Sequence, residues 1–298
     1  MKQYIELVNK VINEGKVKEN RTGINTRSLF GESLKFNLSD GFPICTTRKT
    51  FFRGAVIEFI WMVSRGDCNI KYLLENNVKF WSHWPYEKYL NSDKNDTIYS
   101  LNIFQDLILS SDEFSANWGS IGNGYGIKFR NYNGFDQVQN LIDSLKKDPL
   151  SRRNVLNLFD PNDHFDYNKC LLPPCHHETI WNSDGEYLNC AFTMRSNDVI
   201  CGLPINICFY ALFTHVIAHL TNLKPGVLLY NGIDVHIYEN HIENYLEYVS
   251  QNEPKPLPTL VLDKVRLNNI NTIEPDMFYL KDYEYHTIPK DIKFEVAI

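Results

Sequence analysis

Residues 178–221 read ETIWNSDGEYLNCAFTMRSNDVICGLPINICFYALFTHVIAHLT. The order of runs in this stretch decides the fold class. Glu178–Trp181 and Tyr187–Met194 are β-prone, and Asn182-Ser183-Asp184-Gly185 between them is a turn, so the pair predicts a hairpin. Ile205–Thr221 is then apolar over a length that suits a helix and not a strand. It lies inside the nearly uncharged stretch Leu203–Leu223, which Pro204, Asn206, Thr214, His215, His219 and Asn222 interrupt. A buried core helix is therefore expected rather than a membrane span. A hairpin that leads straight into a helix departs from the βαβ rhythm of a doubly wound parallel sheet.

Working outward, the mixture continues. Lys2–Asn13 carries an apolar stripe of Tyr4, Ile5, Leu7, Val8, Val11 and Ile12 and stops at Gly15, which predicts a helix. Thr26–Phe36 reads as strands around Gly31, and Ala55–Ser64 as an apolar helix with one carboxylate, Glu58. Asp136–Lys147 predicts a further amphipathic helix and Asn154–Phe159 a strand. Val227–Tyr230 and Val235–Tyr238 read as two short strands, His241–Ser250 as a helix, and the segment after Glu253–Pro258 as terminal strands. Pro85–Trp118 loses clear periodicity and reads as an irregular insertion or lid. The expectation is an α+β fold, a mixed sheet with a long central helix, in a single domain over residues 1–298 with the insertion at 85–118.

Composition narrows the function classes. Of 298 residues, 43% are hydrophobic and 22% charged, which suits a globular chain and excludes wholesale disorder. The net charge of −6 argues against a protein that coats nucleic acid. Seven scattered cysteines, an odd number with no C-x-x-C pair, do not make a secreted disulfide framework or a structural zinc site. The N-terminus enters a helical pattern directly, so no signal peptide is expected. An enzyme or binding protein of a reducing compartment fits these features.

Leu172-Pro173-Pro174-Cys175-His176-His177 is the sharpest local motif. Two prolines stiffen the approach to a cysteine, and a nucleophilic thiol needs a fixed position and electropositive neighbours. A buried packing cysteine is the alternative. Arg21 in a glycine turn, the pair Arg152-Arg153, and Arg195-Ser196 suit bidentate phosphate binding, or else surface ion pairs. His236 and Tyr238 alternate on a short strand and so face one side, where a hydroxyl ligand could meet both. Burial of Glu58 would raise its pKa towards general acid/base work, unless it is simply paired. Asn206 opens an apolar helix, either as a cap or as an amide that reads a base edge.

Taken together these segments resemble thymidylate synthase, the folate-dependent family with a cysteine nucleophile. The resemblance runs over nearly the whole chain. It takes in Arg21-Thr22-Gly23, Gly41-Phe42-Pro43, Thr46-Thr47, Glu58 before Trp61, Asn76-Asn77-Val78 before Trp81, and Tyr125-Gly126. It continues through Ser151-Arg152-Arg153, Pro173-Pro174-Cys175-His176, Arg195-Ser196-Asn197-Asp198, Gly202-Leu203-Pro204-Ile205-Asn206, His236-Ile237-Tyr238, Glu253-Pro254 and Val296-Ala297-Ile298.

The resemblance implies reductive methylation of dUMP to dTMP, with 5,10-methylenetetrahydrofolate as carbon donor and reductant and no nicotinamide or metal. It implies a cytoplasmic homodimer, with Arg152 and Arg153 lent to the partner subunit and no need of DNA or a membrane. Cys175 would add to carbon 6 of uracil. Glu58, Tyr125 and His176 would manage protons and water. Arg21, Arg195 and Ser196 would hold phosphate, His236 and Tyr238 the 3′-hydroxyl, and Asn206 the O4 and N3–H of the base. Asp198 would hold the pterin. Trp81, Trp84, Leu172 and Gly202 would line the folate pocket, Arg48 and Lys49 would meet its glutamate tail, and Ala297-Ile298 would close the site.

Some positions depart from the family pattern. Met194 and Ile180 stand where glutamines are usual, Ser82 replaces an acid, Ile205 replaces a phenylalanine, and Asn157-Leu158-Phe159-Asp160 replaces a segment with tryptophan and asparagine. A dUMP hydroxymethylase on the same scaffold is the alternative, with water trapping the one-carbon unit. An inactive homologue that binds nucleotide or RNA is the more distant one.

Overall fold

A computed structural model describes residues 1–93, 100–164, 166–167 and 169–296. In chain order the elements begin with α1 (Lys2–Glu14), β1 (Lys16–Lys18), β2 (Thr26–Asn37) and α2 (Phe52–Phe59). Next come α3 (Lys71–Glu75), α4 (His83–Leu90), α5 (Leu101–Ser110), α6 (Asp112–Trp118), α7 (Tyr125–Arg130) and α8 (Gln137–Lys147). Then follow β3 (Asn154–Asn157), α9 (Pro161–His164), β4 (His176–Ser183), β5 (Tyr187–Asp198) and α10 (Leu203–Leu220). The chain closes with β6 (Lys224–Tyr238), α11 (Glu239–Tyr248), β7 (Thr259–Leu262) and β8 (Phe278–Lys281). Two compact units result. One holds Met1–Val56, Leu141–Val155 and the chain from Cys175 onward, and the other holds Ile57–Asn140 and Leu156–Pro174.

The first unit is built on a six-stranded sheet of order β1-β2-β6-β5-β4-β3. Strands β4 and β5 form the expected antiparallel hairpin, β5 runs parallel to β6, and β6 runs antiparallel to β2. This is the mixed α+β sheet that the sequence predicts. Helix α1 buries Tyr4, Leu7, Val8, Val11 and Ile12 of its stripe. Helix α10 is long and apolar enough to cross a membrane, but most of its residues are buried within the protein, as a core helix requires. Its rings set the packing. Phe213 meets Trp181 edge-on at 4.9 Å, and Tyr210 stacks on Phe192 at 4.3 Å. Each such ring buried whole stabilises the fold by about 1.5–3 kcal/mol.

Two expectations change here. The two short strands over 227–238 are one strand, β6, because Asn231 and Gly232 stay paired to both neighbours. Gly232 makes that continuity possible, since a Cβ there would lie 2.1 Å from the Tyr230 hydroxyl. Likewise β2 runs unbroken past Gly31, with the same register to β6 on either side, Phe30 opposite Asp234 and Glu32 opposite Gly232.

In the second unit the apolar run ending at Ser64 is not α-helical to its end. After Phe59 it widens into a π turn, Ile60–Ser64, closed by Arg65 N–H on the Ile60 carbonyl. Arg130 donates to the Val63 and Ser64 carbonyls at 2.8 and 2.9 Å while Asp136 holds its other edge, so the widened turn has its acceptors satisfied. The irregular segment expected over 85–118 is largely helical where it is described, as α4, α5 and α6. Ser100 and Ser111 cap the last two, accepting from Ile103 N and Phe114 N. Their joint core is aromatic: Phe104 lies within 5.4–5.6 Å of Tyr86, Tyr89 and Phe114.

Candidate active site

Cys175 sits just before β4 and is half-buried. Its carbonyl accepts from Arg195 N at 2.8 Å, which ties the end of Pro173-Pro174-Cys175 to β5. Arg195 Nη2 lies 3.7 Å from the Cys175 sulfur. Removal from water raises the thiol pKa, and the charges of Arg195 and Arg21 pull it back without cancelling the rise. The arginine neighbourhood expected for a nucleophile is present, yet the thiol of the free protein keeps its proton more firmly than an ordinary cysteine. His176 next door is buried, with Nδ1 2.5 Å from the Tyr210 hydroxyl of α10. Burial pushes its pKa down to about 3, so the imidazole is neutral and acts as a hydrogen-bonding group.

Arg21 projects from a turn held by Asn20, whose Oδ1 accepts from Thr22 N and whose Nδ2 reaches the Ile24 carbonyl. Arg21, Arg152 and Arg153 are exposed. His236 and Tyr238 share a face of β6, as alternation requires, and their rings meet edge-on at 5.4 Å. The His236 Nδ1 lies 3.3 Å from the Asp234 carbonyl. The Asp234 carboxylate, which also accepts from Ser28 Oγ, is held down to about 2, first by His236. Ser196 is half-buried on β5 between Arg195 and Asn197.

At the end of β5, Asp198 Oδ1 accepts from Ile200 N and Cys201 N at 2.7 and 3.2 Å. Its Oδ2 is buried with no partner among the described residues. A free buried acceptor of this kind fits a ligand N–H, such as those on a pterin ring. Asp198, Cys201 and His241 bring their donor atoms within 4.8 Å of one another. The Cys201 thiol donates to the Phe294 carbonyl at 3.4 Å, and His241 Nε2 contacts the Glu295 carbonyl at 2.9 Å, so the C-terminal segment docks on this corner. Gly202 opens α10, and Asn206 one turn later is half-buried with Oδ1 accepting from Asn197 Nδ2 at 3.2 Å. Arg48 is committed inside the protein, to the Ile200 carbonyl and the face of Phe294, whereas Lys49 is exposed above Tyr285. Ala297 and Ile298 lie outside the described residues.

The second unit assembles a carboxylate–indole cluster. Glu58 is buried, and its Oε1 accepts from Trp81 Nε1 at 2.7 Å. Burial pushes its pKa up to about 7, with the indole N–H pulling the other way. A carboxyl poised near neutrality can give or take a proton. Trp81 is packed by Trp61, Trp84 and Tyr125 at 5.6, 5.3 and 5.8 Å. Tyr125, the first residue of α7, is buried, and Leu172 is half-buried with its carbonyl accepting from the Cys170 thiol.

Asp234, Tyr210, Tyr230, Cys201 and His241 are further neighbours of these residues that no local sequence signal marks. Each has a partner distant in the chain, Ser28 in the case of Asp234.

The family model described as Thymidylate synthase matches residues 2–298. The chain is 38% identical over 307 residues to the thymidylate synthase of Mesoplasma florum, covering 100% of both chains. It is 38% identical to that of Phytoplasma mali, over 98% of this chain and 99% of the relative, and 37% identical to that of Mycoplasma pneumoniae over 100% of both. Fold and relatives together define an enzyme of the methyltransferase class. Within that class, the chain belongs to the thymidylate synthase family.

Proposed function

We propose that this enzyme makes dTMP from dUMP by reductive methylation, with Cys175 as the nucleophile. The observation that carries the reading is the Cys175 sulfur, fixed behind two prolines and 3.7 Å from the Arg195 guanidinium, in a chain matched from end to end by the synthase family. Carbon 5 of uracil is a poor nucleophile. Attack of the Cys175 sulfur on carbon 6 moves the ring electrons onto carbon 5 and O4, which makes carbon 5 reactive towards a one-carbon unit. Bound 5,10-methylenetetrahydrofolate supplies that carbon and, later, a hydride.

The chain's own side chains bind, orient and move protons. Arg21, Arg195 and Ser196 hold the phosphate, His236 and Tyr238 the 3′-hydroxyl, and Asn206 the base. Asp198, whose Oδ2 has no partner among the described residues, takes the pterin N–H groups beside Gly202, and Leu172, Trp81 and Trp84 serve as folate contacts. Lys49 meets the glutamate tail, and Arg48 supports that side from within. Glu58, with its pKa near 7, moves protons through water, and Tyr125 positions that water; His176 in its neutral form is a hydrogen-bonding group beside the nucleophile.

The working form is a homodimer in which the partner's phosphate site receives Arg152 and Arg153. Their exposure supports this, as does the open sheet face where Ile180 is 44% exposed. Residues 1–298 act as one catalytic domain, with 85–118 as an insertion. Seven cysteines with no disulfide among the described residues suit a cytoplasmic setting.

Trapping tests the covalent step. Incubation with 5-fluoro-dUMP and methylenetetrahydrofolate is expected to leave a stable adduct that peptide mapping places on Cys175. An intact enzyme that forms no adduct there contradicts the mechanism, as does a Cys175→Ser variant with full turnover.

A further inference from the structure

We propose that Asn197 and Tyr230 form a relay that locks the Asn206 amide in the orientation that reads uracil, so that Asn197 sets base specificity as a positioning residue. The inference rests on the reading of Asn206 as the group that meets the base. It addresses a difficulty in that reading. A side-chain amide turned by 180° exchanges its donor and acceptor, so an unrestrained asparagine matches uracil in one setting and cytosine in the other. Something must forbid the turn.

Tyr230 on β6 is fully buried, and its hydroxyl lies 3.0 Å from Asn197 Oδ1. That hydroxyl has no other hydrogen-bond partner among the described residues. A phenol has one proton, and burial holds it on the oxygen. The proton therefore goes to Asn197 Oδ1, since a turned Asn197 would leave a buried donor without an acceptor. With its oxygen fixed, Asn197 presents Nδ2 to Asn206 Oδ1, at 3.2 Å. Asn206 is left with Nδ2 as a donor and with the second lone pair of Oδ1. These match O4 and N3–H of uracil. Turning Asn206 to suit cytosine would set two NH₂ groups against each other beside Asn197, which is only 3% exposed and out of reach of bulk water.

The surroundings keep the relay in place. Gly232 leaves room for the Tyr230 hydroxyl, which a Cβ there would meet at 2.1 Å. Gly202 leaves room at the other end, where a Cβ would lie 3.3 Å from Asn197 Nδ2 and 3.5 Å from Asn206 Oδ1. The Tyr230 ring packs against Phe192 at 5.4 Å.

Calorimetric titration of the full chain with dUMP and with dCMP tests the relay through the ratio of the two affinities. The native enzyme is expected to prefer dUMP. Tyr230→Phe removes one hydroxyl and frees Asn197 to turn. It should narrow the preference roughly tenfold, chiefly by tighter dCMP binding. Asn197→Asp offers only acceptors, so the Asn206 NH₂ turns inward, and the ratio should move further towards dCMP. A merely structural role would weaken both nucleotides alike and leave the ratio unmoved, and that result overturns the relay. Asn206→Ala separates the two layers of the argument. If it loses the preference while the ratio is unchanged in Tyr230→Phe and Asn197→Asp, the relay alone fails. If Asn206→Ala keeps the preference, Asn206 does not read the base and the relay fails with that reading.

Discussion

Glu58 holds its proton up to about pH 7 because it is buried, and the Trp81 indole N–H does not offset that burial. The unfolded chain loses that proton near 4.5. Between these values the native state binds more protons than the unfolded state, so stability falls as pH rises through this window. The contribution is about 3 kcal/mol by linkage. Glu58→Gln should flatten that part of the stability curve, measured by urea denaturation at pH 4.5 to 8, and a slope unchanged in the variant would contradict the burial argument. The same variant should lower kcat by about 10²–10⁴-fold while sparing dUMP affinity, as expected for loss of a proton-transfer group. Cys175 is displaced in the same direction, so single-turnover adduct formation should accelerate as pH rises above neutrality. These two residues were legible in the sequence. A lone carboxylate in an apolar helix is costly to bury, and two prolines before a cysteine stiffen its approach, so each stands out from its neighbours. Asn197 and Asp234 were not, because their meaning lies in which atom faces a partner on another element.

Helix α10 and the β4–β5 hairpin could be read directly, since an unbroken apolar run and an Asp-Gly turn each leave few alternatives. Asn231-Gly232 reads as a break that divides β6 in two, yet strands on both sides hold those residues in register. The helices within 85–118 hid their period because their contacts are made by large aromatic rings, although Ser100 and Ser111 were standing as caps. The π turn at Ile60–Ser64 could not be read, for it depends on Arg130 arriving from α7. A related cross-link ties α7 to the chain after β3. Lys128 is buried, with Nζ 3.1 Å from Asp160 and 2.5 Å from Asp163. Lys128→Met strands two carboxylates and should cost about 3–5 kcal/mol in urea denaturation. A loss below about 1 kcal/mol would mean that the pair behaves as a surface contact.

In the proposed enzyme, turnover depends on a second copy of the chain. Arg152 and Arg153 are exposed in one chain, and the proposal gives them work only at the partner's phosphate site. A variant with both arginines replaced by Glu and a Cys175→Ser variant should each be inactive alone. Mixed and refolded together they should regain turnover, because one site of the hybrid then has its own thiol and the partner's intact arginines. No recovery would place those arginines outside the site. The departures at Met194, Ile180 and Ser82 do not favour the alternative chemistry, in which water traps the one-carbon unit. The relatives matched over the full chain are named as synthases. The most direct measurement is the reaction itself, with dUMP and methylenetetrahydrofolate followed by absorbance and chromatography. This account predicts dTMP together with a matching rise in dihydrofolate; 5-hydroxymethyl-dUMP with no such rise would contradict it.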